Sequence, residues 1–215
     1  MNSEKSLKNL RHQYTLNTLS EKTVHKNPIK QFEIWFSELI KLKLKEPNAM
    51  VLATSGKKSN PSVRIVLLKG ISKDGFIFFT NYKSLKGESL TENPSASLLF
   101  FWAELERQIR VQGNAKKITK TESQKYFDTR PLESRIAAWA SEQSEEIPSR
   151  EYLEKRYLYF KEKFKGKKIP LPPHWGGFIL IPSYFEFWQG RENRLHDRIC
   201  YRKKKSGWDI FRLAP

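Results

Sequence analysis

Apolar residues recur along this chain with two different periods, and the change from one to the other marks out its elements. At Ile29, Phe32, Phe36, Leu39 and Ile40 they fall three and four apart, the spacing of an amphipathic helix. Asn27 offers that helix an N-cap, Pro28 suits its first position, and Pro47 lies beyond its end. Residues 1–27 are polar without sustained periodicity and read as a loosely held arm. After Pro47 the pattern becomes that of strands. "AMVLATS", "SVRIVLLK", "GFIFFTN", "SASLLFFW" and "RQIRVQGNAKKI" are rich in branched and aromatic residues and separated by turn signals. "SKDG", Ser72 to Gly75, is the clearest hairpin turn. Helical spacing returns over residues 84–91, 121–129, 131–140 and 150–164, the last with Leu153, Tyr157, Phe160 and Phe164 on one stripe. A basic, proline-rich connector, "KGKKIPLPP", leads to four further strands, "WGGFILI", "YFEFWQ", "RLHDRICYR" and "GWDIFRL". Many antiparallel strands with a few helices between them predict a mainly β fold, a closed barrel with α-helical cover. With no internal repeat and no linker, residues 28–215 read as a single domain.

Charge changes this picture. Forty Lys and Arg against 23 Asp and Glu leave the 215-residue chain at +17. Such an excess points to anionic partners: nucleic acid, acidic lipid or phosphorylated small molecules. Lysines in runs such as "KEKFKGKK" read as solvated, whereas arginines flanked by aromatic residues do not. No apolar run reaches the roughly 18 residues of a membrane span, and the N-terminus lacks the apolar stretch of a secretory signal. Cys200 is the only cysteine, so neither an internal disulfide nor a cysteine metal cluster can form, and a reducing cytoplasm fits. The four histidines lack partners at metal-binding spacing, so no metal site is expected, and no catalytic triad, Walker loop or GxGxxG is present. Redox or group-transfer chemistry would need a bound organic cofactor.

Four segments concentrate chemistry. In "WQGRENRLHDR", a strand over "RLHDR" would put Arg194, His196 and Arg198 on one face and Leu195 and Asp197 on the other, close to Trp188. An exposed cationic strip is the alternative, and the tryptophan favours a site, because guanidinium and indole planes both stack on flat rings. "RIVLLK" brackets four apolar residues with Arg64 and Lys69; on a regular strand these two face opposite sides, so a shared site needs a bulge or a subunit interface. "NYKSLKGESL" sets Lys83, Ser84 and Lys86 at a helix start, where backbone N–H groups favour phosphate, although a serine there often only caps. "YFDTRPLES" lets Tyr126, Arg130 and Ser134 converge where one helix gives way to the next, a credible phosphate cradle.

Taken in order, "RIVLLK", "FFTNYKSLKG", "LERQIRVQG", "YFDTRPLESRIAAWASEQS", "PPHWGGF", "EFWQGRENRLHDR" and the closing "RLAP" resemble the pyridoxamine 5′-phosphate oxidase family over nearly the whole chain. The resemblance implies an FMN-binding split β-barrel, a homodimer with FMN at the subunit interface. It implies oxidation of pyridoxamine or pyridoxine 5′-phosphate by O2 to pyridoxal 5′-phosphate and hydrogen peroxide. By matching motif, FMN would be lined by Arg64, Ile65, Val66, Leu67, Leu68 and Lys69, with Phe79 and Thr80. Lys86, Gln108, Gln143 and Ser144 would hold it, and Trp188 and Arg198 would complete the flavin pocket. Lys69, Tyr126, Arg130 and Ser134 would grip the substrate phosphate. Arg194, Leu195 and His196 would lie against the pyridine ring, with Arg194 and His196 as the catalytic pair. Arg11 and Tyr14 match a segment that closes over the substrate. Where the family usually reads Ser-Arg-Lys, this chain has Ser84, Leu85 and Lys86, removing one donor to the FMN phosphate. Two other readings remain at this point: a flavin-binding split barrel with another substrate, and a basic nucleic-acid-binding protein whose aromatics would share one surface.

Overall fold

The computed structural model describes residues 8–10, 12–57 and 60–215. Its elements follow the predicted order. Helix α1 (Pro28–Lys41) leads into β1 (Ala49–Thr54), β2 (Ser62–Leu67), β3 (Gly70–Ser72) and β4 (Gly75–Asn81). Helix α2 (Leu85–Glu92), β5 (Ser95–Trp102) and β6 (Arg107–Lys117) come next, then α3 (Lys120–Thr129), α4 (Leu132–Ala140) and α5 (Arg150–Lys163). Strands β7 (Trp175–Gln189), β8 (Asp197–Lys203) and β9 (Trp208–Arg212) close the chain. Among the described residues the strands pair in the order β2-β1-β5-β6-β7-β4-β3, with β8 on β7 and β9 on β8. This is the mainly β architecture with helices that the apolar pattern predicts. Among the described residues, no helix is long and apolar enough to cross a membrane.

The chain divides into two compact units, and three strands contribute residues to both. The first unit comprises residues 1–47, 99–111 and 183–215. Asn27 caps α1 by accepting the Ile29 N–H at 2.9 Å, and Pro28 takes the first turn. The helix buries Phe32, Trp35 and Leu39. Phe32 meets Phe100 edge-on at 4.8 Å, and Trp35 meets Phe187 at 5.2 Å. Ile40, on the predicted apolar stripe, is instead exposed, and Trp35 occupies the core. Residues 12–27 form no helix or strand, yet they are tied down. Leu19 N–H donates to Asp197 Oδ2 at 3.0 Å, Tyr201 Oη to the His25 carbonyl at 2.8 Å, and Arg212 to Glu21.

The second unit comprises residues 48–98 and 112–182. Strands β1 and β2 pair antiparallel from Ala49–Leu67 to Thr54–Ser62. The β3–β4 hairpin closes at Ser72–Gly75 around the two-residue turn Lys73-Asp74. Gly75 is needed there, because a Cβ would strike the Leu180 carbonyl. Phe127, Ile136, Ile169 and Trp175 form a core under α3 and α4, and Phe160 and Phe164 cover it through Trp139. Two segments differ from the pattern. "WGGFILI" and "YFEFWQ" are one strand, β7, running through Pro182. Proline removes a ladder donor, and Gly113 lies against the Ile181–Pro182 backbone where a Cβ would not fit. "RLHDRICYR" becomes strand only from Asp197.

Phe32→Ala should lower unfolding stability by about 3–5 kcal/mol in urea titrations, the cost of an aromatic-sized cavity, whereas exposed Ile40→Ala should cost under about 1 kcal/mol. Equal effects would mean that α1 does not pack by this face.

Candidate active site

The second unit holds a cavity of about 400 Å³. Strand β2 supplies Ile65, Val66 and Leu67 to its wall, and Lys69 follows just beyond the strand end. Phe79 and Thr80 come from β4, Lys86 from the first turn of α2, and Tyr126 and Arg130 from the end of α3. Three cations thus face this cavity, and no carboxylate is among its walls. Aromatic rings line it in parallel: Phe79 stacks on Tyr126 at 3.9 Å and on Trp175 at 5.4 Å, with interplanar angles of 17° and 12°.

Arg130 owes its place to the residue after it. Proline at 131 disfavours helix at the preceding position, and Arg130 leaves α3 with extended angles, φ −74° and ψ 147°. Its guanidinium carbon lies 4.8 Å from the centroid of the Trp175 ring, and Nη1 is buried without a hydrogen-bond partner. Burial lowers the pKa of Arg130, a shift the Tyr126 phenol opposes. The same burial raises Tyr126, with Arg130 opposing, so its hydroxyl remains a donor. Lys86 is lowered by burial first and by the Arg64 charge second. It donates to Ser84 Oγ at 3.2 Å, and the buried Ser84 caps α2.

The first unit holds a separate cavity of about 610 Å³. His12, Gln13 and Tyr14 form one wall, and Trp188, Arg191, Arg194 and His196 face them. Tyr14 meets Trp188 and His196 edge-on, each at 5.6 Å, and Trp188 lies 4.6 Å from His196. The expected strand alternation of Arg194, His196 and Arg198 does not occur. Asn193 and Arg194 take left-handed angles, φ 54° and 62°, in a 3-10 turn that carries Arg194 and His196 into the cavity ahead of β8. Arg191 N–H donates to His196 Nδ1 at 3.1 Å, so the neutral ring carries its proton on Nε2. Burial, and then the Arg194 charge, lower the His196 pKa below its ordinary 6.5.

Of the other expected residues, all but Gln143 stand outside both cavities' walls or outside the described residues. The Arg64 guanidinium donates to the Leu52 carbonyl, Thr54 Oγ1 and Ser62 Oγ, along β1 and β2. Leu68 is core, Leu195 is 70% exposed, and Gln108, Ser134 and Ser144 line neither space. Gln143 lines the first cavity and accepts from Thr80 Oγ1 at 3.4 Å. Arg198 turns to the buried Glu186, donating to Oε1 at 2.8 Å, while Arg110 donates to Oε2 at 2.6 Å. Leu85 is 65% exposed. Arg11 lies outside the described residues. Sequence reasoning missed Trp175, His12, Gln13 and Arg191. Trp175 carried a signal: two glycines follow it, and a Cβ at Gly177 would press within 2.9 Å of Phe79.

An NMR titration should find His196 below 6.5, and Arg194→Ala should move it upward by removing a cation. The unfolded chain takes up this proton first, so His196 costs stability as pH falls through 6.5 toward its lowered folded value. A His196 pKa above 6.5 would contradict the burial.

The pyridoxamine 5′-phosphate oxidase family model matches residues 36–163, and the model for the pyridoxine 5′-phosphate oxidase C-terminal dimerisation region matches residues 175–215. A pyridoxine/pyridoxamine 5′-phosphate oxidase of Cupriavidus metallidurans is 55% identical over 97% of this chain and 99% of its own. One of Nostoc punctiforme is 53% identical over 99% and 100%. Among solved structures, PhzG of Burkholderia lata in complex with tetrahydrophenazine-1-carboxylic acid has a TM-score of 0.87 at 30% identity, covering 93% of this chain and 99% of that one. A pyridoxamine 5′-phosphate oxidase-related, FMN-binding protein of Nostoc punctiforme superposes with a TM-score of 0.69 at 16% identity, covering 87% and 97%, and shows the split-barrel fold.

Proposed function

Because the chain belongs to the pyridoxamine 5′-phosphate oxidase family, we propose that its two cavities serve the oxidation of pyridoxamine or pyridoxine 5′-phosphate to pyridoxal 5′-phosphate, with FMN as cofactor in a homodimer. When bound, FMN would supply a flat two-electron acceptor for a hydride from the substrate's C4′ carbon, with O2 as final oxidant giving hydrogen peroxide.

One observation carries the residue assignment: Arg130 Nη1 is buried and unpartnered beside a cavity that Lys69 and Lys86 also line and no carboxylate does. A buried donor left unsatisfied costs about 1–3 kcal/mol, and a phosphate oxygen would satisfy it. Lys69, Tyr126 and Arg130 therefore grip the substrate phosphate. Lys86, at the start of α2, holds the FMN phosphate with help from the helix N–H groups. Neutralising an anion suits both Arg130 and Lys86, since burial already works against their charge. Ile65, Val66, Leu67, Phe79 and Thr80 pack the flat part of the ligand, and Gln143 fixes a polar edge.

The second cavity does the orienting. Trp188, Arg194 and His196 present one indole, one guanidinium and one largely neutral imidazole to a planar anion. Arg194 orients the pyridine ring and stabilises the charge that shifts as the hydride leaves, and His196 accepts or donates a hydrogen bond beside it. Holding two rings face to face can supply several kcal/mol of a barrier of this kind. In the homodimer FMN would lie at the subunit interface, and Trp188 would complete its pocket. Arg198 supports that pocket through Glu186 rather than by reaching into the described cavity.

The fold alone does not choose a substrate, as the phenazine-bound PhzG relative illustrates; the phosphate grip does. The nucleic-acid reading weakens because the aromatics do not share one surface: among the described residues only Phe101 and Tyr159 are exposed, while Phe76, Phe78, Phe178 and Phe185 are core. A cytoplasmic location suits the lone, buried Cys200.

In the anaerobic FMN-loaded protein, pyridoxine 5′-phosphate should bleach the visible flavin band and free pyridoxine should not. Bleaching by both would discard the phosphate grip, and bleaching by neither would discard the substrate. Arg130→Ala should raise KM for pyridoxine 5′-phosphate about 10- to 100-fold, the loss of a charge-assisted hydrogen bond of about 1.5–3 kcal/mol. An unchanged KM would sink the assignment of Arg130.

A further inference from the structure

Glu106 joins the 3-10 turn Ala103–Leu105 to β6, and it is unusual twice over. Its backbone is left-handed, φ 53° and ψ 40°, and its side chain is only 5% exposed. Neither is an ordinary setting for glutamate, and a residue held in both usually answers a functional demand. The carboxylate is spent wholly on the N-terminal segment. Oε1 lies 3.1 Å from His12 Nε2, and Oε2 accepts the Leu16 N–H at 3.0 Å. The Glu106 carbonyl binds the other side of the cavity, accepting from Gly190 N–H at 2.8 Å and from Gln189 Nε2 at 3.2 Å.

Tyr14 lies between these two attachments. Its ring presses on Gly190 so closely that a Cβ there would come within 2.6 Å, and it meets Trp188 and His196 edge-on. Residues 12–16 have no helix or strand to hold them. Among the described residues their hydrogen bonds go to Glu106; the next anchors are Asn17, whose carbonyl accepts from Arg191 Nη1 at 3.2 Å, and Leu19. The wall of the second cavity therefore hangs on one carboxylate.

We propose that Glu106 is a positioning residue of the oxidase: its carboxylate latches residues 12–16 so that Tyr14 stands against Trp188 and His196, and the latch sets how tightly phosphorylated substrate is retained. The identity of that substrate rests on the reading above; the latch itself does not. Releasing it frees one wall of the cavity, and with it the Tyr14 contact to His196, while Arg194, the Arg191 N–H to His196 Nδ1 bond and the cationic cavity of the second unit stay in place. The chemistry should then proceed once substrate is in place, while retention suffers.

Glu106→Gly separates the side chain from the backbone. Glycine suits the left-handed angles better than glutamate and keeps the carbonyl that Gly190 and Gln189 use. Deuterium exchange on the FMN-loaded dimer should show peptides covering residues 12–19 exchanging about tenfold or more faster in the variant, with residues 109–111 of β6 unchanged. Steady-state kinetics should show KM for pyridoxine 5′-phosphate raised about tenfold or more, with kcat altered less than about threefold. Unchanged exchange over 12–19 would overturn the latch. Faster exchange with an unchanged KM would overturn its role in retention, leaving Glu106 merely structural. Should the glycine variant fail to fold, Glu106→Asn tolerates the same backbone and is too short to reach both partners; it faces the same two readouts. Failure of both to fold would make the carboxylate a folding determinant and overturn the proposal. The exchange readout uses no substrate, so wild-type protein that ignores pyridoxine 5′-phosphate sinks the functional reading alone.

Discussion

A guanidinium can be buried cheaply only when something answers its charge and its donors, and this chain treats its arginines in two opposite ways. Around Glu186 the charge is answered from within: one carboxylate, 3% exposed, accepts from Arg110 and Arg198 at once, and Arg198 also reaches the Ala214 carbonyl, although Arg110 Nε keeps no partner among the described residues. The pKa of Arg198 is raised accordingly, by its hydrogen bond to Glu186 above all. At Arg130 the answer is withheld. Phe127 and Trp175 offer the group only ring faces, and among the described residues Nη1 has nothing to donate to. The same residue type thus serves as a strut in one place and as an open donor in the other. The difference lies in whether an acid was placed beside it, and it decides which cavity wall waits for an anion.

An open donor of that kind is affordable only on a rigid support. Arg130 directly follows the last residue of α3, whose far end is closed by a reciprocal capping box between Thr119 and Glu122. Underneath, Phe127 is fully buried against Trp175, and Trp175 continues the parallel stack through Phe79 to Tyr126. The stack fixes Phe79 and Tyr126 as cavity wall while Phe127 and Ile136 fix the helices behind it. Stability and site geometry are here one set of contacts, which is why the core could not be repacked freely without moving the guanidinium.

Most of the fold was legible because it depends on local signals: period-two apolar runs for strands, Asn27-Pro28 for the start of α1, Ser84 for the cap of α2. What was not legible depends on contacts far apart in the chain. Nothing local says that Pro182 will be carried inside a fifteen-residue strand, since the residue that lies against its backbone is Gly113. The site divides in the same way. Lys69, Phe79, Thr80, Lys86, Tyr126 and Arg130 come together as their motifs suggested. Arg64 does not, because three acceptors on β1 and β2 take its guanidinium first. Arg194 and His196 reach a shared cavity by a route that strand periodicity could not foresee, a left-handed turn rather than a pleat.

That turn points to a wider regularity. Five described residues other than glycine have positive φ, and four of them, Lys43, Glu106, Asn193 and Arg194, lie in the unit that carries Tyr14, Trp188 and His196. Each costs on the order of 1 kcal/mol relative to ordinary backbone, and the surrounding contacts must offset it. For Glu106 they are the two bonds of its carboxylate and the two received by its carbonyl. For the turn they include the Arg191 N–H to His196 Nδ1 bond, which also fixes the tautomer of the ring. A strand would have delivered alternate side chains to opposite faces. The strained turn delivers Arg194 and His196 together, and the strain is the cost of placing a fixed cation and a neutral imidazole on one side of a planar ligand.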